Sequence, residues 1–218
     1  MATWITHMRI AEHFMNIDES LNCADFLVGN IAPDSGIPNE NGIGFTPDKI
    51  ISHYGLDGTP DGKKRGIQNF KNKYVKREHK YYKFYLGYYF HLLTDDAWRC
   101  SPRKGIKTVN GRMKLLHESL SWEEIKKDWY GQDHIFLQNN PDFIFFTMFK
   151  NIKEYPNKYL DFFPQDAFSR QVKNITNFYL TAAENAEREF PYLTKSEMDS
   201  FVNSTINSIE NDLSNKIN

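Results

Sequence analysis

Cysteine and long apolar runs are both scarce in this chain of 218 residues. The two cysteines, Cys23 and Cys100, do not form a CxxC pair, which argues against a disulfide framework and favours a reducing compartment. No stretch approaches the ~18 consecutive apolar residues that a membrane span needs. The first residues, MATWITHMRIAEHF, lack the basic and apolar regions of a secretory signal. We therefore expect a cytoplasmic protein.

An excess of charge of either sign is also missing. The chain has 27 basic and 28 acidic residues and a formal net charge of -1. This balance argues against a broad basic surface for duplex nucleic acid or for an anionic membrane. A ligand must then be recognised by local chemistry, and no feature of the sequence identifies a partner protein.

The length fits one domain over residues 1–218. Apolar residues at helical spacing predict two helices in the first 30 residues and a C-terminal helix in SEMDSFVNSTINSIENDLSNKIN. Further helices are predicted near residues 67–75, 111–139, 141–152 and 166–190. No alternation of period two is sustained over several strands. The predicted fold is an all-α, single-domain multi-helix bundle.

Long loops are predicted in the N-terminal half of the chain. Residues 31–46 and 54–66 concentrate Gly, Pro, Asn and Asp, which favour turns over helices. Residues 99–111 form a further irregular patch. Long loops in compact domains often carry function, so these segments are candidates for the surroundings of a site.

The aromatic segment YYKFYLGYYFHLLTDDAW, residues 81–98, contains His91 and Asp95 four residues apart. On a helix, residues at this spacing lie on the same face one turn apart. Imidazole nitrogen and carboxylate oxygen are both zinc ligands. The alternative is a buried histidine that pairs with its own carboxylate, because a buried charge needs a strong partner.

Three residues of the same chemical types precede this segment: His7 in THMRIAEH, Asp34 in GNIAPDSG and His53 in ISHYG. Each alone has an ordinary interpretation, as a packed helix residue, a turn aspartate or a histidine at a helix end. Together with His91 and Asp95 they supply three histidines and two carboxylates, enough for one or two metal ions.

The segments TH at 6–7, SHY at 52–54 and YLGYYFHLLTD at 85–95 resemble the bacterial zinc-dependent phospholipase C family, whose all-helical fold is shared with fungal single-strand-specific nucleases. The resemblance covers roughly the first hundred residues. It implies that one zinc is bound by Asp34, His53, His91 and Asp95. It also implies that His7 binds a neighbouring zinc, which Asp95 bridges.

Additional zinc ligands are less clear from the resemblance. Six residues after the aspartate of its HxxxD motif the family has a histidine, where this sequence has Ser101, and it then has an HxxxE pair. The candidates for completing a second site here are Asp133, His134 and His117. We predict Asp133 as this ligand and a total of one to three Zn²⁺ ions.

The resemblance implies hydrolysis of a phosphodiester, with a metal-activated water as nucleophile. The substrate would be a small phosphodiester or a phospholipid-type molecule. Asp34 is the predicted catalytic residue, and its role as zinc ligand or as general base stays open. The alternatives are a non-catalytic, metal-stabilised helical binding protein and a nuclease-like phosphodiesterase.

Aromatic and basic residues bear on the substrate. The aromatic candidates for lining a cleft are Trp4, Phe45, Tyr54, Tyr88 and Trp98. A single-strand nuclease would combine stacking aromatics with a basic groove. The basic segments DGKKRG, SPRKGIK and KKDW are present, although such segments are usually solvated.

Overall fold

The computed structural model describes residues 1–55, 57–110, 112–181 and 188–214, and this part of the chain is mainly helical. The predicted helical class is confirmed. The described helices are α1 (Trp4–Ile17), α2 (Ala24–Gly29), α3 (Lys49–Ser52), α4 (Pro60–Tyr74), α5 (Tyr82–Cys100), α6 (Trp122–Asn139), α7 (Ile144–Thr147), α8 (Ala167–Thr181) and α9 (Lys195–Ser214). None of them is both long and apolar enough to cross a lipid bilayer.

Two antiparallel hairpins, which were not predicted, interrupt the helices. Strand β1 (Ile37–Pro38) pairs with β2 (Phe45–Thr46) inside the predicted loop 31–46. Strand β3 (Ile106–Val109) pairs with β4 (Arg112–Leu115). Residues 112–115 are therefore a strand and not the start of the helix predicted near 111–139. That helix begins at Trp122, where Ser121 and Glu124 form a capping box.

Other predicted boundaries also shift. The predicted loop 54–66 is shorter, because α4 begins at Pro60 and the side chain of Thr59 caps it. The predicted helix 141–152 consists of α7 and a short 3-10 turn, Phe149–Asn151. The helix predicted over 166–190 is described as far as Thr181, and residues 182–187 lie outside the described residues.

Helices α2 and α5 touch through their backbones at two glycines. A Cβ atom on Gly29 would lie 2.1 Å from the carbonyl oxygen of Phe84, and one on Gly87 would lie 2.1 Å from that of Phe26. Only glycine permits such an approach. The end of α2, at Asn30, is consequently held against the middle of α5.

Aromatic packing fixes α1 and α9 on α5. The rings of Phe14 and Phe90 lie 4.6 Å apart, and those of Trp98 and Phe201 lie 4.8 Å apart. Trp98 and Tyr88 are fully buried core residues, and Tyr54 packs on Phe70. The sequence suggested these three aromatics as candidates for lining a cleft. In the structure they belong to the core packing instead.

Candidate metal centre

Helix α5 carries His91 and Asp95 one turn apart on the same face, as their spacing predicts. Nε2 of His91 lies 3.7 Å from Oδ2 of Asp95. The two residues are 0% and 2% exposed, so both side chains are removed from solvent. A polar pair this deeply buried needs further partners.

The close packing of α2 on α5 determines the protonation of His91. Nδ1 of His91 lies 2.9 Å from the carbonyl oxygen of Asn30, which can only accept a hydrogen bond, so Nδ1 donates. Burial lowers the pKa of His91 well below its usual value, with further lowering by His7. The ring is therefore neutral, and its Nε2 faces Asp95 with a free lone pair.

His7 reaches the same carboxylate from α1. Its ring stacks on that of His91 with centroids 3.9 Å apart and planes 2° from parallel. Nε2 of His7 lies 3.5 Å from Oδ1 of Asp95, and the backbone N–H of Ala2 donates to that oxygen at 2.8 Å. Asp95 thus has one oxygen toward His7 and the other toward His91.

His53 and Asp34 complete the cluster from the loop region around α3. Nε2 of His53 lies 3.4 Å from Oδ1 of Asp34 and 3.5 Å from Oδ2 of Asp95. The indole Nε1 of Trp4 donates to Oδ2 of Asp34 at 3.1 Å. Nδ1 of His53 contacts the hydroxyl of Ser52 at 3.0 Å. In Asp34 and in His53, one polar atom is therefore held by a neighbouring residue while the other polar atom faces the cluster.

Several atoms of the cluster are buried and have no hydrogen-bond partner among the described residues. They are Nδ1 and Nε2 of His7, Nε2 of His53, Nε2 of His91, Oδ1 of Asp34 and Oδ2 of Asp95. Unpartnered buried polar atoms are costly, so a cluster of them favours a bound ligand that satisfies them.

Two overlapping groups within the cluster can hold a metal ion. The first consists of His7, His91 and Asp95, and the second of Asp34, His53 and His91. Within each group, one ligand atom per residue lies within 4.8 Å of every other. The structure thus brings together the five residues that the sequence nominated in its first 95 positions.

Both carboxylates of the cluster are ionised at neutral pH. Burial alone would raise the pKa of Asp34, but the hydrogen bond with His53 and the charge of Lys49 outweigh it and hold the pKa below its usual range. Burial also opposes ionisation of Asp95. The positive charge of the N-terminal amino group and the hydrogen bond with His7 nevertheless hold the pKa of Asp95 well below its usual range. The cluster therefore offers anionic oxygen beside the neutral imidazole of His91.

The other predicted ligand, Asp133, is not brought into either group. Its Oδ1 accepts a hydrogen bond from the hydroxyl of Thr3 at 2.8 Å, and its Oδ2 accepts one from Tyr179 at 2.5 Å. With both oxygens engaged, the carboxyl group joins α6 to α1 and α8. His134 packs against Tyr179, and His117 is exposed near β4.

The cluster forms one wall of a cavity of about 770 Å³. Asp34, His53 and Asp95 reach this cavity, while His7 and His91 lie behind them. Its other walls contain the aromatic residues Trp4, Phe45, Trp122, Trp129 and Tyr130 and the cationic residues Lys49, Lys63, Arg99, Arg112 and Lys126. Trp4 and Phe45 are thus in the cleft that the sequence predicted for them.

Some supporting residues gave no signal in the sequence. The backbone carbonyl of Asn30 orients His91. Every residue has such a carbonyl, so the residue type at position 30 could not indicate this contact. Thr3 gave no signal either, because its bond to Asp133 spans 130 positions. Lys63 and Lys126 belong to the basic segments DGKKRG and KKDW, which are usually solvated, and here they line the cavity.

Comparisons with protein-family models, with curated proteins and with solved structures found no match.

Proposed function

We propose that the protein is a zinc-dependent phosphodiester hydrolase of the phospholipase C-like kind. The zinc ligands in this proposal are His7, Asp34, His53, His91 and Asp95. The observation that carries it is the convergence of their buried, unpartnered nitrogen and oxygen atoms at the wall of an open cavity.

The spacing of the donor atoms fits zinc. In a tetrahedral site with ligand bonds of about 2.0–2.1 Å, neighbouring ligand atoms lie about 3.3 Å apart. The contacts of His53 with Asp34 and Asp95 and of His7 with Asp95 measure 3.4–3.5 Å, and that of His91 with Asp95 measures 3.7 Å. These separations exceed ordinary hydrogen bonds but match ligands around a shared ion.

The chemistry that zinc supplies when bound is Lewis-acid activation of water and neutralisation of phosphoryl charge. The chain contributes fixed ligands, since Asn30 orients His91 and Trp4 orients Asp34. Asp34 lines the cavity, so its carboxylate can serve as a ligand or can accept a proton from the attacking water. Lys49, 3.8 Å from Asp34, can meet a phosphoryl oxygen of the substrate.

The opening of the cluster toward the cavity supports an enzyme over a metal-stabilised binding protein. A structural zinc is normally closed by four protein ligands, whereas a catalytic zinc keeps a position for water or substrate. Asp34, His53 and Asp95 all reach the cavity, so a substrate has access to the cluster. The volume of about 770 Å³ lies in the range of small-molecule sites.

One observation also favours a nuclease-like phosphodiesterase as the second candidate. The cavity wall combines aromatic rings, among them Trp4, Trp122 and Tyr130, with cationic side chains. Stacking aromatics beside cations are the features that bind single-stranded nucleic acid. Both candidates share the same reaction at the same cluster and differ in the leaving group.

Hydrolysis of bis(4-nitrophenyl) phosphate by zinc-loaded protein tests the proposed function. We expect turnover in the parent, loss of both turnover and bound zinc in Asp95→Asn, and retention of both in His13→Ala. His13 is a suitable control because it lies outside the cluster, where its Nε2 is 3.1 Å from Glu210. Zinc-loaded parent protein that cleaves neither this diester nor a dinucleotide would refute the proposal.

A further inference from the structure

Three cationic side chains face the cavity without a carboxylate of the described residues at ion-pair distance. Lys63, Arg112 and Lys126 line it, and no carboxylate of the described residues lies within 4.0 Å of their charged nitrogens. The two other cations of the wall differ from them. Lys49 lies 3.8 Å from Asp34, and Arg99 pairs with Asp96 at 2.5 Å.

The three unpaired cations come from separate elements, namely α4, β4 and α6. Folding therefore brings three positive charges from distant parts of the sequence to the wall of the same cavity. Like charges in a concave site repel one another and focus a positive potential, which an anionic ligand relieves. Within the described part of the chain no further anion lines the cavity, since the two acidic residues of its wall, Asp34 and Asp95, belong to the metal cluster.

We propose that this cavity selects phosphodiesters that carry at least one additional phosphate group. This inference rests on the proposed function, because it names the substrate class of the same site. The cluster accounts for the single negative charge of the diester. Lys63, Arg112 and Lys126 then match the two negative charges of a phosphomonoester.

A zwitterionic head group fits the cavity poorly. Its quaternary ammonium would face Lys63, Arg112 and Lys126, and like charges brought together in a cleft are disfavoured. Aromatic faces could in principle offset this by cation-π contact. The ring of Phe45, however, already has the ammonium of Lys49 at 4.6 Å from its centroid.

The inference is tested by calorimetric binding of two matched pairs of ligands. One pair is thymidylyl-thymidine with and without a 5′-phosphate, and the other is glycerophosphoinositol with and without a 4-phosphate. Each is titrated into protein as purified and after zinc reconstitution, so the readout does not depend on turnover. In at least one pair we expect the additional phosphate to tighten binding about tenfold, an advantage that falls as salt is raised.

The variant that tests the assignment combines Lys63→Ala, Arg112→Ala and Lys126→Ala. Its matched control combines Lys64→Ala, Lys114→Ala and Lys127→Ala, which removes the same charge from the same three elements outside the cavity wall. We expect the first variant to lose the tenfold preference and the control to keep it.

Equal binding of both members in each pair, or equal behaviour of the two triple variants, would overturn the inference. A preference within the dinucleotide pair would identify the substrate as a nucleotide. A preference within the glycerophosphoinositol pair would identify it as a lipid head group. Charge-selective binding without hydrolysis would refute the proposed function alone. Hydrolysis without charge selectivity would refute this inference alone.

Discussion

The carbonyl oxygen of Asn30 lies 2.9 Å from Nδ1 of His91, and this contact decides which nitrogen of the histidine faces the cluster. The carbonyl is placed by the end of α2, which Gly29 and Gly87 allow to touch α5. The chemistry of the cluster therefore depends on backbone packing that lies outside it. Hydrogen bonds of this kind to ligand histidines fix the tautomer and raise the basicity of the free nitrogen.

Gly87→Ala should destabilise the fold. The added Cβ would lie 2.1 Å from the carbonyl oxygen of Phe26, so α2 must move away from α5. We expect the free energy of unfolding in urea to fall by about 1–3 kcal/mol, as for other overpacked cores. Gly55→Ala is the control, because its nearest atom would be Cα of Ile50 at 3.6 Å. Equal stabilities of the two variants would contradict this description of the contact.

Trp4→Phe should weaken metal binding while the fold persists. The substitution removes the indole N–H that donates to Oδ2 of Asp34 and keeps an aromatic ring at the cavity. Loss of such a supporting hydrogen bond typically costs about tenfold or more in metal affinity. Competition with a chromogenic chelator measures the affinity. Trp122→Phe alters the same cavity at a residue that makes no hydrogen bond to the cluster within the described part of the chain, so it should leave the affinity unchanged. An equal loss of affinity in Trp122→Phe would show that the aromatic wall of the cavity, and not the indole hydrogen bond, is responsible.

The Asp133→Asn variant should lose part of the pH dependence of stability. Burial raises the pKa of Asp133 to about 7, although Tyr179 and Thr3 donate hydrogen bonds that lower it. Between about pH 4 and that value, the folded state holds a proton that the unfolded chain releases. The contribution of this carboxyl to stability is therefore largest below about pH 4 and falls as pH rises toward 7.

Urea denaturation of parent and variant at a series of pH values measures this effect. The contribution of Asp133 amounts to about 1.4 kcal/mol for each pKa unit between the two states. We expect the parent to lose stability relative to Asp133→Asn as pH rises from 4 to 7. Parallel curves would show that Asp133 is ionised in the folded protein. The same samples report zinc content, and a lost ion would place Asp133 among the ligands, as the sequence predicted.

Local patterns in the sequence were sufficient for part of the site. His91 and Asp95 share a helix, so their common face follows from a spacing of four residues. His7, Asp34 and His53 lie on other elements; their chemical types made them candidates, and the resemblance to a zinc-dependent family assigned them to a common site with that helix. Their convergence depends on tertiary packing, which no single segment encodes.

The hairpins and the structural role of Asp133 could not be predicted from local sequence patterns. Strands β3 and β4 have four residues each, too few for a pattern of period two to stand out beside helical ones. Asp133 meets Thr3 and Tyr179 only across three packed helices. A ligand-type residue in a sequence does not show which partner will occupy its oxygens.

Metal content per chain by elemental analysis, in the parent, His91→Ala and His117→Ala, tests the central claim most directly. His91 belongs to both metal-binding groups, whereas His117 is exposed and lies in neither. We predict one to three zinc ions in the parent, loss of zinc in His91→Ala with an affinity lower by more than about 100-fold, and no change in His117→Ala. Parent protein that binds no metal after zinc is supplied would contradict the account and leave His91 and Asp95 as a buried polar pair.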